Sequence, residues 1–434
     1  MTNTTATSEP GSAPTASQPH GSPTRLHEPG HVPLLADVLA ERDVEAAWSG
    51  LRKRWGDVAP VDLGSGARAW LVTGYQTIVM LARDTSMVTT RLESWNGASR
   101  DPLPAALRSA RSPAGDPVET ATGPGHARLR GPLDEVLDAV DAAEVGQVTR
   151  TVCDEIVARL CEQARQEPER QLDLMHEYVA PVTQLAFGTV LGLDPSTGRQ
   201  VFELADTLAA GEGDADGVDE LSFLLGGQVM GRDATGNLTP AGLLAQHPAY
   251  ADPAEAVLGM LSLVTGASLG MRAWLGQALL LALTDAGFLR RLAGGRLGTD
   301  EALDEVLWDR SPVTTLAPRF AVKEGHLFGD DLYVERGDAV LLAVGAAASD
   351  PRVRGDGTWD GLGNRAHLAW GAGAHRCPAP RQARLIVRTA VETLLRAVEP
   401  VLATPVQDIR WVPDLRFRRP ETLPVIFRPS GPAS

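Results

Sequence analysis

The segment Trp370-Gly371-Ala372-Gly373-Ala374-His375-Arg376-Cys377-Pro378-Ala379-Pro380 constrains this chain more than any other. Gly371, Gly373, His375 and Cys377 follow one another at intervals of two, and a run with helical periodicity, 381–398, starts directly after. Glycine lets backbone come close to a flat ligand because no Cβ intervenes. A cysteine just before a helix meets the positive end of the dipole and its free N–H groups, which favour thiolate. A thiolate in that place can bind a metal. A buried structural cysteine in a Gly-rich turn would use the same residue types. A zinc site would need a second Cys/His pair at ligand spacing, and the sequence offers none.

The pattern resembles the haem-binding loop of the cytochrome P450 family, Phe-Gly-x-Gly-x-His-x-Cys-x-Gly with Ala-Arg a turn later. Trp370 stands at the Phe position, Cys377 at the iron ligand and Ala383-Arg384 at the trailing pair, while Ala379 replaces the last Gly. The resemblance covers about residues 32–428. It implies a mainly α fold with a small β region, the cytochrome P450 fold, in a single large domain. It also implies a b-type haem (iron protoporphyrin IX) and monooxygenation of a small organic molecule, with electrons delivered by a ferredoxin and its reductase. His126 and Arg130 look like the family's His-x-x-x-Arg pair, which reaches the haem propionates. Side chains at i and i+4 share one helical face and can grip the same carboxylate. By the same resemblance Arg319 is another propionate arginine, and His375 completes the clamp. A thiolate ligand pushes electron density through iron and favours O–O cleavage.

The chain departs from the family in two places. The distal helix usually carries Ala-Gly-x-Asp/Glu-Thr, an acid beside an alcohol that relays protons. Here the aligned text is Thr265-Gly266-Ala267-Ser268-Leu269, with Ser268 for the acid and Leu269 for the threonine. Leucine relays nothing, so a substrate hydroxyl, a water or Ser268 must serve, or ordinary oxygen activation is slow. The alternatives are a radical-coupling or peroxide-driven oxidase, and a haem protein that binds a ligand or partner without catalysis. Arg272, one turn on, faces either a substrate carboxylate or a neighbouring helix. The second departure is Trp308 where the motif Glu-x-x-Arg, begun by Glu305, would have arginine. The third member of that motif aligns near Thr358. A buried Glu305 without its arginine must find other donors or hold a proton.

The 434 residues suffice for a sizeable core. A net charge of −15 argues against nucleic acid and anionic membranes as partners. Residues 1–30 are rich in Thr, Ser, Pro and Gly and poor in large apolar side chains, so a disordered tail is expected before a domain spanning 31–434. The three cysteines, Cys153, Cys161 and Cys377, show no paired spacing. That pattern, with no apolar signal segment, fits a soluble cytoplasmic protein. Helical periodicity marks 36–55, 76–83, 129–140, 145–165, 171–192, 199–210, 254–283, 300–308 and 380–397. Strand-like pieces lie at 69–73, 320–322, 332–334 and 339–344, the last two separated by a turn at Gly337-Asp338. The run 254–283 is apolar enough to span a membrane, but Arg272, Gln277 and four glycines interrupt it, and a buried central helix fits better.

Overall fold

A computed structural model describes residues 23–100, 103–104, 107, 117–209, 215–233, 235–292, 298–354, 364–412 and 414–429. Strands from residues 24–89 pair with strands from 319–342. β1 (Thr24–Arg25) runs parallel to β7 (Leu332–Tyr333). A five-stranded sheet has the order β2-β3-β8-β6-β4, from Val58–Gly64, Ala67–Val72, Ala339–Leu342, Arg319–Ala321 and Val88–Thr89. Successive side chains of a strand face opposite ways, and here both faces are covered. Ala59, Val61, Ala69, Leu71, Ala339 and Leu341 enter one core, while Val58, Trp70, Val72, Val340 and Leu342 enter another. This is why these strands read as nearly unbroken apolar runs rather than as alternating ones.

The helices that frame the rest are α1 (Leu35–Ala40), α2 (Val44–Trp55), α3 (Tyr75–Arg83), α4 (Gly123–Ala139), α5 (Ala142–Gln166), α6 (Ala180–Val190), α7 (Pro195–Ala209) and α8 (Ala215–Gln228). They continue with α9 (Pro253–Thr284), α10 (Thr299–Asp309) and α11 (Pro380–Ala397). The start of α9 is fixed locally. Asp252 accepts from the N–H groups of Ala254 and Glu255 at 2.9 and 3.2 Å, and Pro253 fills the first helical position, where no N–H is missed. The helix is long and apolar enough to cross a membrane, yet Met260, Val264, Ala273, Leu275, Ala278 and Leu279 are buried in the protein's main core. A helix apolar on all sides is a core helix when protein covers it. Cys153 and Cys161 pack in the same core, and burial pushes the Cys153 thiol up to about 11.

Three expectations are corrected. The tail boundary at residue 30 lies too late: Thr24 and Arg25 pair with β7, Leu26 is buried, and Arg68 donates to the Pro29 carbonyl at 2.7 Å. The preceding residues, 1–22, lie outside the described ones. The helix read at 36–55 is two helices, because Asp43 caps the second by accepting from Ala46 N–H. The helix read at 171–192 begins as a strand, β5 (Gln171–Asp173). It pairs with β12 (Pro424–Pro429), which in turn pairs with β9 (Val398–Leu402), while β10 (Trp411–Val412) pairs with β11 (Arg419–Pro420). The pieces read at 332–334 and 339–344 join different sheets, β7 pairing with β1 and β8 lying between β3 and β6. The turn between them is taken by Asp338, whose buried carboxylate accepts from Trp70 Nε1, Asn96 Nδ2 and Glu335 N–H.

Candidate active site

A short turn, Leu368–Trp370, leads into the cysteine loop. Gly371 and Gly373 both adopt positive φ, +73° and +72°. At Gly373 a Cβ would collide with the carbonyl of Ala82 at the end of α3, so glycine is required there by space as well as by conformation. The loop is closed by Cys377 N–H donating to the Trp370 carbonyl at 2.8 Å. Ala379 caps α11 at an ordinary φ of −117°, so the departure from glycine costs no backbone strain. Cys377 forms part of a cavity wall. Burial pushes its thiol up, and the Ala379 N–H pulls the other way. A metal ion coordinated there would deprotonate the thiol outright. Among the described residues no group of three His, Cys, Asp or Glu could hold a metal, so a zinc-type donor set is absent there.

The same cavity is lined by His126, Arg130, Arg319 and His375, so the four side chains picked from distant parts of the sequence meet in one place. The His126 and His375 rings lie 4.2 Å apart, and Arg130 donates to the Ala374 carbonyl at 3.3 Å and to Asp134 at 2.8 Å. Burial holds the Arg319 guanidinium down at about 10, with Glu119 acting against it. Burial, then the positive Arg319, His126 and Arg130, hold His375 at about 3. His126 Nε2 is buried without a hydrogen-bond partner. Two buried guanidinium groups beside an imidazole nitrogen without a hydrogen-bond partner make a site suited to anions. Helix α9 lines the same cavity with Ser262, Leu263, Gly266, Ala267, Gly270, Met271 and Trp274, and a Cβ on Gly266 would meet nothing within 4 Å.

The structure departs from several sequence expectations. Ser268 and Leu269 do not line the cavity. Ser268 is 1% exposed and donates to Asp206 of α7 at 2.7 Å. Leu269 packs with Ala273, Phe417 and Val313. Arg272 pairs with the same Asp206, which also accepts from Gln184 at 3.0 Å, so it meets a neighbouring helix rather than a substrate carboxylate. The buried acid of α10 is Asp304, not Glu305, and Trp308 Nε1 donates to the Asn364 carbonyl at 2.9 Å. Thr358 lies outside the described residues. The family resemblance implies a pocket lined by 87–119, 204–225, 265–269, 313–317 and the turn near Pro420; no described residue of 204–225 lines the cavity, nor does Pro420, while Arg416 and Phe417 do. The Arg416–Glu119 pair, 3.9 Å apart, adds the charges that sequence reasoning did not single out. No periodicity marks either residue.

No protein-family model matches the chain. The chain is 30% identical over 266 residues to cytochrome P450 105C1 of a Streptomyces species, covering 59% of this chain and 68% of the relative. The chain is a cytochrome P450. Its fold agrees. CYP154C4 from Streptomyces sp. W2061 superposes with a TM-score of 0.75 at 21% identity, covering 93% of this chain and 99% of that one. The P450 enzyme CxnD, described as forming a C–S bond in chuangxinmycin biosynthesis, gives the same score, identity and coverage. The protein is thus an oxidoreductase of the monooxygenase family, with haem b as cofactor, acting on a small molecule. The residues fit that group. Two propionate carboxylates would satisfy the buried arginines and His126 Nε2, the left-handed glycines keep the loop close, and Gly266 leaves open space on the α9 wall.

Proposed function

We propose that Cys377 is the axial ligand of the haem iron, that His126, Arg130, Arg319 and His375 hold the propionates, and that the P450 performs a tailoring oxidation in specialised metabolism. We further propose that it works in the cytoplasm, with a ferredoxin and ferredoxin reductase as electron donors. The observation that carries the reading is the convergence of these five side chains on one cavity from α4, β6 and the cysteine loop. When bound through a thiolate, haem supplies oxidising power that no side chain has. The chain's own part is to bind, orient and keep dry. Val118, Leu263, Val313, Leu316 and Phe417 give the cavity an apolar lining that suits a small organic substrate. Ser262, Thr315, Arg376 and the Glu119–Arg416 pair are polar groups of the same wall that could orient it.

A second reading, radical coupling or a peroxide-driven oxidation, has a specific observation in its favour. The cavity face of α9 presents Gly266, Ala267, Gly270 and Met271, and the Ser268 proton is already donated to Asp206. A reaction that needs no relay from this helix suits such a wall. Comparing substrate turnover driven by hydrogen peroxide with turnover driven by a surrogate ferredoxin system separates the two.

The propionate assignment is tested by haem retention. Charge-assisted hydrogen bonds contribute about 1.5–3 kcal/mol each, so Arg130→Ala and Arg319→Ala should each lose haem roughly 10–100-fold more readily. Unchanged retention in both variants would contradict the clamp.

A further inference from the structure

Asp304 of α10 is 3% exposed, and three basic side chains close on it. Arg384 is hydrogen-bonded to Oδ1, Arg365 Nε donates to Oδ2 at 3.2 Å, and His367 Nε2 lies 3.6 Å from Oδ1. These partners come from both sides of the cysteine loop. Arg365 and His367 lead into it, and Arg384 stands in α11 directly after it. One turn along α10, Trp308 donates to the carbonyl of Asn364 and sets its ring edge-on to His367, with centroids 5.9 Å apart. Arg384 also lies over the ring of Trp274 on α9, 5.6 Å from its centroid. Trp274 meets Trp370, at the head of the loop, edge-on at 5.3 Å. Leu307, between the two gripping residues of α10, reaches the cavity wall.

We infer that Asp304 is a positioning residue for the thiolate: through Arg384 and Arg365, and with Trp308 holding Asn364, it fixes both ends of the Cys377 loop in the place of the missing Glu-x-x-Arg motif. The inference rests on Cys377 being the iron ligand. A carboxylate this deeply buried is costly unless it is paired and hydrogen-bonded. Every group found satisfying it belongs to the strand of chain that carries the cysteine or to the helix that leaves it. The carboxylate stands one residue before the motif position, and the cation it meets on α11 is Arg384 of the trailing Ala-Arg pair. Trp308 cannot supply a charge, so it serves as a neutral tie to the same segment. Groups that orient a metal's ligand typically change metal affinity by about 10–100-fold when removed.

The test uses the full-length, haem-loaded protein and reads the Soret band of the reduced carbonyl complex together with the rate of haem transfer to an excess of a haem-accepting apoprotein. Asp304→Asn should lose haem about 10–100-fold faster and should shift part of the carbonyl complex out of the red-shifted thiolate band. Asp304→Glu should restore much of that band, and Glu305→Gln should behave as wild type. A fall in Tm with band and transfer rate unchanged would make Asp304 a plain brace and overturn the inference, as would loss of the band in Glu305→Gln alone. Should Asp304→Asn fail to fold, Arg384→Gln and Trp308→Phe carry the test, and a full thiolate band in both overturns it. Failure of the ligand reading looks different: Cys377→Ala would then keep the red-shifted band whatever Asp304 does.

Discussion

The substitutions that bear most on the account are single atoms in the cysteine loop. Gly373 holds φ +72° with the Ala82 carbonyl against its Cα, so Gly373→Ala meets both strain and collision. A left-handed non-glycine residue costs about 1–3 kcal/mol, and the variant should lose at least that much in denaturant unfolding, with faster haem loss. Wild-type stability in Gly373→Ala would show that the loop does not rest on α3. At this scale the sequence was informative where the requirement is stereochemical. Glycines at 371 and 373 are needed by any chain that makes this turn, and so they announce it. It was uninformative where a charge can be supplied from several places. The buried acid proved to be Asp304 rather than Glu305, because a carboxylate one position back reaches Arg384 just as well. Nothing in the linear order of residues says which cation will arrive.

At the level of elements, α9 and its contact with α7 account for the missing relay. Ser268 is spent on Asp206, so installing an acid as Ser268→Asp would place two carboxylates together in a buried site that has Arg272 as its cation. Leaving one such charge uncompensated costs about 3 kcal/mol or more, so this variant should be less stable than wild type and its new carboxyl should stay protonated; unchanged stability would show that Ser268 faces the cavity after all. The start of α9 carries its own pH dependence. Glu255 is held at about 2, first by its hydrogen bond from Arg128 and then by the Ala251 N–H, against an ordinary 4.5. A carboxylate with a depressed folded pKa contributes stability above its unfolded pKa, and that contribution fades as pH falls from 4.5 toward 2. Glu255→Gln should cost about 1 kcal/mol at neutral pH, as a partly exposed pair at a helix start does, and nothing near pH 2. A constant difference across that range would contradict it. The long helices were legible because their apolar period persists for many turns. The strands β5, β9 and β12 were not, since each is short and its pairing is decided by partners far away in sequence.

On the scale of the whole molecule, fold and cofactor come from one family signature, and the structure adds the assembly around it. His126, Arg130, Arg319, His375 and Cys377 are separated by up to 251 positions in sequence and line one cavity. Proximity of this kind is a product of the fold: α4 brings the first pair, the five-stranded sheet the third, and the loop before α11 the rest. The pocket's own character was only half readable. The segments around 118–119, 266–267 and 313–317 contribute as expected, while Arg416 and Phe417 come from a turn with no periodic pattern to mark it. The central claim is that Cys377 is the thiolate ligand of a haem held in this cavity. The measurement that tests it most directly is the absorption spectrum of the reduced carbonyl complex in wild type and Cys377→Ala. The account requires the red-shifted Soret band of a thiolate-ligated haem in the wild type and its complete loss in the variant. A variant that retains the band, or a haem-loaded wild type that never shows it, would contradict the account.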